Sequence, residues 1–211
     1  MCDHGHGGGG CAHAANELPP SAVLEGVRYD MVAYVDMDKV SILNEATPNS
    51  GPFILKLWDD RLDRSTFVES DSDEELLINI PFTGSVRING ICLIGEDGEQ
   101  HPARVRLFKD REGMSFDDTG IQADQEIDLK VDPNGLVDYP LKASKFNSLS
   151  HLSVHIDRNF GDDVTKMYYF GMRGEFLEGF RQKVVIATYE SRAIPKDHKG
   201  EIPDGKTSDI Y

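Results

Sequence analysis

Beyond residue 45 no stretch of this chain carries a long helical period; its apolar residues fall in short runs, many of them alternating, divided by turn-forming residues. Leu76, Ile78 and Ile80 alternate with Leu77 and Asn79, and Pro81 is expected to stop that strand because it has no N–H to donate. Val86 to Ile94 is a longer strand candidate in which Gly90 after Asn89 suggests a bulge; a hairpin at Asn89-Gly90 is the alternative, against which Thr83-Gly84 already turns the chain five residues earlier. Val105 and Leu107 face away from Arg104 and Arg106. Ile127, Leu129 and Val131 lead into Asp132-Pro133-Asn134-Gly135, a hairpin signal, after which Val137 and Tyr139 resume the alternation. His151, Ser153 and His155 alternate with Leu152, Val154 and Ile156, and both Met167 to Gly171 and Val184 to Tyr189 are rich in β-branched and aromatic residues. Nearer the start, Val27 to Val35 shows mixed alternation, Ile54, Leu55 and Leu57 form a short apolar piece, and Met37, Val40, Ile42 and Leu43 have helix-like spacing after a capping Asp36. About nine or ten short strands at this turn spacing predict an all-β fold, a β-sandwich or jelly roll.

The 211 residues suffice for one domain with flexible ends. Residues 1–22, with four consecutive glycines, interspersed histidines and Pro19-Pro20, predict a disordered leader; 23–194 form the domain; 195–211, rich in Lys, Pro and Gly, form a flexible tail. The longest apolar runs, Leu76 to Ile80 and Ile91 to Ile94, fall far short of the about 20 residues of a spanning helix. The N-terminus lacks the basic start and apolar run of a signal peptide, and no Asn-X-Ser/Thr sequon occurs. Three cysteines, Cys2, Cys11 and Cys92, do not make a disulfide framework. A cytoplasmic protein, present also in the nucleus, is expected. With 22 Lys and Arg against 37 Asp and Glu, the net charge of −15 disfavours nucleic acid and anionic membranes. It suits either solubility or a partner with a basic patch.

Catalytic signatures are missing. There is no Gly-X-Ser-X-Gly or Cys-X-X-Cys, and Cys92 lies within a strand as a small buried hydrophobe. On a strand His151 and His155 stand about 13 Å apart, too far to share one ion comfortably, and are expected to be solvated or hydrogen-bonded. Asp71-Ser72-Asp73-Glu74-Glu75 resembles the start of a calcium loop but has Leu76 where the turn glycine belongs and lacks the later Glu. It is better described as an acidic loop entering a strand, either solvated or a docking surface. Cys2, His4, His6, Cys11 and His13 fit no closed zinc site, although such tracts pick up metals weakly. No cofactor is expected.

The run from Phe67 to Gly84, FVESDSDEELLINIPFTG, closely resembles the signature of the PITH domain, a module that follows thioredoxin-like domains or stands alone. Met114 to Asp118, His151 to Lys166 with Asn159-Phe160-Gly161, and Gly171 to Glu175 resemble further family segments, in order, between about Tyr29 and Ala193. The leader resembles that of a stand-alone member, and Glu175-Phe176 departs from the Trp usual there. The resemblance implies a galactose-binding-like jelly roll, association with the regulatory particle of the proteasome, and no catalytic residues. The thioredoxin half is missing, so no redox activity carries over.

A monomeric, non-catalytic adaptor or regulator is therefore expected, docking through Asp71, Asp73, Glu74 and Glu75 together with Trp58, Arg61 and Arg64. Trp and Arg are frequent hot-spot residues, while Trp58, the only tryptophan, suits a core anchor equally well. The alternatives are a small-ligand jelly roll of carbohydrate-binding type, and a leader that delivers or senses metal.

Overall fold

The computed structural model describes residues 29–179, an all-antiparallel β-sandwich of jelly-roll type. Its strands are β1 (Ser41–Leu43), β2 (Val68–Glu69), β3 (Leu76–Gly95), β4 (Pro102–Lys109), β5 (Gln125–Asp128), β6 (Tyr139–Pro140), β7 (Asn147–Asn159) and β8 (Lys166–Gly179). The expected leader, the tail and the strand at Val184 to Tyr189 lie outside these residues. Within them no helix is long and apolar enough to cross a membrane.

β3 organises the sandwich because its two halves belong to different layers. Leu76 to Pro81 pairs with Ile156 to His151 of β7, and β1 adds to the opposite edge of this half. β7 in turn pairs with β4, and β4 with β5. From Gly84 to Gly95 the strand pairs with Gly179 to Met167 of β8, which carries β2 on its far edge, while β7 stays alongside only at Val86 and Arg87. The inner faces meet in one core: Leu76, Ile78 and Ile80 of the first half, Ile88, Ile91 and Leu93 of the second, Leu152, Val154 and Ile156 of β7, and Phe170 and Met172 of β8.

Leu76 to Ile80 are all buried, so β3 is covered on both faces. Leu77 faces outward against Phe108, Met114 and Ala123, beneath the loop that follows β4. Cys92 and Ile94 face outward on the other layer against Tyr29, Tyr168 and Tyr169. Cys92 is a buried thiol, pushed up to about 12 by burial.

The bulge at Asn89-Gly90 is present. Ile88 pairs with Gly174 and Gly90 with Arg173, so β3 uses two steps where β8 uses one. The extra residue switches the inward set from Val86 and Ile88 to Ile91 and Leu93, since side chains alternate with period two. Gly174 lies at this point because a Cβ there would sit 1.9 Å from the Arg87 carbonyl oxygen.

Several local expectations are overturned. Pro81 does not stop β3: its carbonyl accepts the Asp36 N–H, and the missing donor falls where the β7 ladder is interrupted, between Pro81 and Val86. Thr83-Gly84 is likewise strand and not a turn, because this is where β3 passes from one layer to the other. The described part of the Val27 to Val35 stretch, from Tyr29, has a 3-10 turn at Met31–Tyr34 and a single bridge from Val35 to Phe82. The helix expected after Asp36 shrinks to a 3-10 turn at Met37–Lys39 without a side-chain cap, because Ser41–Leu43 pair with β3. Asp132 to Gly135 does turn, with Asp132 accepting from the N–H groups of Asn134 and Val137. It does not close a hairpin: β5 pairs with β4 and β6 with β3.

Gly174→Ala is expected to cost at least about 1–3 kcal/mol, because the colliding atom is backbone and cannot rotate away. Urea unfolding of the variant measures it, and an unchanged midpoint would contradict the close approach.

Candidate functional site

The outer face of the β3–β7 half-sheet carries buried polar groups where an apolar pattern would suffice. Asn79, His151, Ser153 and His155 are each at most 5% exposed. A buried polar group is costly unless hydrogen-bonded, and the loop after β4 supplies partners. Asn79 Nδ2 donates to the Met114 carbonyl at 3.1 Å, and Ser153 Oγ lies 2.8 Å from Asn79 Oδ1 and 3.1 Å from the Arg111 carbonyl. His155 Nε2 is 2.8 Å from Glu75 Oε2, with the Phe116 ring edge-on at 6.0 Å. The strand histidines are thus buried, and His155 is hydrogen-bonded.

This pairing anchors the end of the acidic loop, and Asn44 anchors its middle. Asn44 Nδ2 donates to Asp73 Oδ1 and to the Glu75 carbonyl, both at 2.7 Å, while Oδ1 accepts the Ser72 N–H at 3.1 Å. Its own carbonyl accepts the Asp71 N–H. These bonds require a left-handed backbone, φ 67°, which asparagine tolerates better than most residues. From the other side Thr165 donates its hydroxyl to the Glu74 carbonyl and its N–H to Ser70 Oγ. Asp73 and Glu75 are therefore largely committed to internal bonds, whereas the Asp71 carboxylate bonds only to neighbouring Ser72 and Glu74 makes no side-chain bond or ion pair among the described residues. Beside the loop lies a cleft of about 440 Å³ lined by Asn44, Asp73, Glu75, Phe116 and Thr119. On its rim Ser115 donates its N–H and hydroxyl to Asp118, holding that carboxyl below the usual range.

Trp58, Arg61 and Arg64 belong to a separate cluster. Trp58 stacks on Tyr29 at 4.8 Å and meets Tyr169 edge-on, with the Arg61 guanidinium 4.0 Å over its ring. It is half-buried and anchors the cover of the second layer. Arg64 is more exposed, donating to the Pro133 carbonyl and lying 3.6 Å from Glu96. Among the described residues no hydrogen bond, ion pair or ring contact links these three with Asp71 to Glu75.

Sequence reasoning passed over Asn44, Asn79 and Ser153. Asn79 left a signal: an amide inside an apolar strand implies a partner across the sheet or from a covering loop. Among the described residues no three His, Cys, Asp or Glu side chains are grouped to hold a metal. The Cys and His residues of the leader lie outside them.

Comparison with known proteins covers the same ground. The PITH domain profile matches residues 21–193. A PITH domain-containing protein of Caenorhabditis elegans is 56% identical over the whole of both chains. PITH domain-containing protein 1 of Homo sapiens is 48% identical over 93% of this chain and 92% of its own length. Solved structures with a similar fold include CBM32-3 from a family 31 glycoside hydrolase of Clostridium perfringens, at 13% identity and TM-score 0.46, covering 68% of this chain and 96% of that one. Another is the C-terminal domain of a chitobiase from Bacteroides fragilis, at 17% identity and TM-score 0.49, covering 66% and 95%.

Two expectations arise from these contacts. Asn44→Ala removes the side-chain bonds to Ser72, Asp73 and Glu75 and leaves a left-handed alanine, so it should destabilise by about 1–3 kcal/mol and speed amide exchange across residues 71–75. Equal exchange in variant and parent would deny Asn44 its anchoring role. Burial also holds His101 and His151 below the ordinary histidine range, against the opposing pull of Asp132 and Asp97 on the first and of Glu112 and Asp110 on the second. His101 must stay neutral, since its Nε2 accepts the Asp132 N–H at 3.0 Å. The unfolded chain takes up these protons first, so stability is full above pH of about 6.5 and falls as pH drops below it. The urea midpoint should decline from there toward pH of about 5, and a midpoint flat over that interval would contradict neutral buried rings.

Proposed function

The chain belongs to the PITH domain family, and we propose that it is a non-catalytic protein-interaction module that associates with the regulatory particle of the proteasome as an adaptor or regulator in the cytosol. The observation that carries this reading is the acidic loop, a preorganised docking element. Asn44, Ser70 and Thr165 fix its backbone, so little ordering entropy remains to be lost when a partner binds. Asp71 and Glu74 are the side chains left to meet a partner, and on a chain of net charge −15 they favour a basic surface. Arg64 is a candidate for a second contact, whereas Trp58 and Arg61 serve mainly as packing.

The test is affinity purification of the tagged full chain from cytosol at about 50 and about 300 mM salt, since screening weakens charge-driven docking. Proteasome subunits are expected at the lower salt and fewer at the higher. Asp71→Lys combined with Glu74→Lys should reduce recovery while leaving the melting temperature nearly unchanged. Undiminished recovery would move the docking surface elsewhere, and no proteasome subunits with the parent chain would remove the proposed partner.

A further inference from the structure

Beyond Ser153, at the end of the β3–β7 face away from the acidic loop, a second cavity of about 450 Å³ opens at Pro81, Phe82 and His151. The polar ladder described above gives this cavity a defined hydrogen-bonding sense. The Met114 carbonyl accepts from Asn79 Nδ2, which fixes the amide orientation and presents Oδ1 to Ser153. The one Ser153 hydroxyl proton goes to Asn79 Oδ1 or to the Arg111 carbonyl, both of which are only acceptors. A Ser153 lone pair therefore faces His151 Nδ1 across a long contact of 3.5 Å. Proton placement follows: Nδ1 carries the hydrogen of the neutral ring, and Nε2 keeps its lone pair.

That Nε2 has no partner among the described residues, although His151 is only 5% exposed and lines the cavity. Two carboxylates share the wall. Glu112 makes no ion pair or side-chain hydrogen bond among the described residues, and Asp36 is held at 2.6 Å by Lys39, a third charged residue of the wall whose side chain is mostly in solvent, so Glu112 leaves the wall net negative. Pro81 and Phe82 supply carbon surface. The combination is rich in acceptors, acidic, and apolar on one side. An anion finds the wrong charge there, and a neutral polyol leaves the Glu112 carboxylate without a charged partner.

We propose that this cavity is a binding site for a guanidinium or primary ammonium group on an aliphatic stem, donating to His151 Nε2 and the Glu112 carboxylate while the stem lies against Pro81 and Phe82. The site is distinct from the acidic loop and stands whether or not the proteasome is the partner. The same chemistry is offered by an arginine or lysine side chain of a protein and by a free alkylamine.

Amide and imidazole ¹⁵N spectra of the full chain, titrated separately with agmatine, an acetylated Gly-Arg-Gly amide, its citrulline analogue and galactose, test the site. Agmatine and the arginine peptide should shift the amides of Gly113, Ser150 and His151 and move the His151 Nε2 resonance, with the citrulline peptide and galactose much weaker. Tighter binding of the peptide than of agmatine assigns the site to a protein side chain, and the reverse assigns it to free amines. Glu112→Gln, an exposed change that should not disturb folding, is expected to weaken either cation about tenfold, as for loss of one charged hydrogen bond. His151→Phe should abolish the response if that variant folds. The proposal is overturned if neither cation shifts these resonances at about 10 mM, the weak limit for one small site, if citrulline or galactose matches them, or if Glu112→Gln binds as well as the parent.

Discussion

Nearly every residue of β3 is paired along at least one edge, by β7 from Leu76 to Pro81 and by β8 from Gly84 to Gly95, and both ends of the strand are covered on both faces; the rest of the domain depends on that fact. β7 takes one edge of its first half and β8 one edge of its second, and the short β1 and β6 add partners on the opposite edges, so many of its backbone groups are bonded within the domain. Its halves then need partners both inside the sandwich and outside it. The inner side is the common core; the outer side requires covers, supplied by the loop after β4 over Leu77 and by Tyr29 and Trp58 over Cys92 and Ile94. One extra residue at Asn89 reconciles these demands, because alternation alone would otherwise turn Ile91 and Leu93 out of the core.

The cover over the first half is where the family motifs converge. Signature residues from Asn79 to Pro81, the Met114–Asp118 segment and the His151–His155 strand lie far apart in the chain and meet on one face. Their contact is polar: amide, hydroxyl and imidazole groups run in sequence beneath the loop. Such networks are worth having only when each member is satisfied, and here two ring nitrogens are exceptions. His155 Nδ1 is buried without a partner among the described residues, whereas His151 Nε2 borders a cavity that a donor can enter. The acidic loop at one end of this face and the cavity at the other both present carboxylates but differ in kind. One projects carboxylates from a fixed backbone, and the other encloses its acceptors.

Charge and hot-spot composition together suggest one set of docking residues, Trp58, Arg61 and Arg64 with the acidic run. The structure divides it. The Arg61 guanidinium is used over the Trp58 ring, and Trp58 is used against Tyr29 and Tyr169, so their value lies in holding the second layer covered. Asp73 and Glu75 likewise spend their oxygens inside the domain. Hot-spot composition identifies residue types and says nothing of whether a side chain is already engaged.

From the sequence by itself came the all-β class, the bulge at Asn89-Gly90, the buried Cys92 and the family, because these rest on alternation, local backbone preference and motif order. Tertiary structure decided that Pro81 and Thr83-Gly84 lie within a strand, that Asp132 to Gly135 turns without making a hairpin, and that the spacing after Asp36 ends in β1. In each case pairing with a distant strand outweighed a local signal worth less than a ladder of hydrogen bonds. The roles of Asn44, Asn79 and Ser153 were equally out of reach, since a polar side chain's partner is set by what the fold brings across from it. His151 joined the site for the same reason: its neighbours in space, Glu112 and Asp36, are remote in the chain, and only the packed sandwich puts them around one cavity.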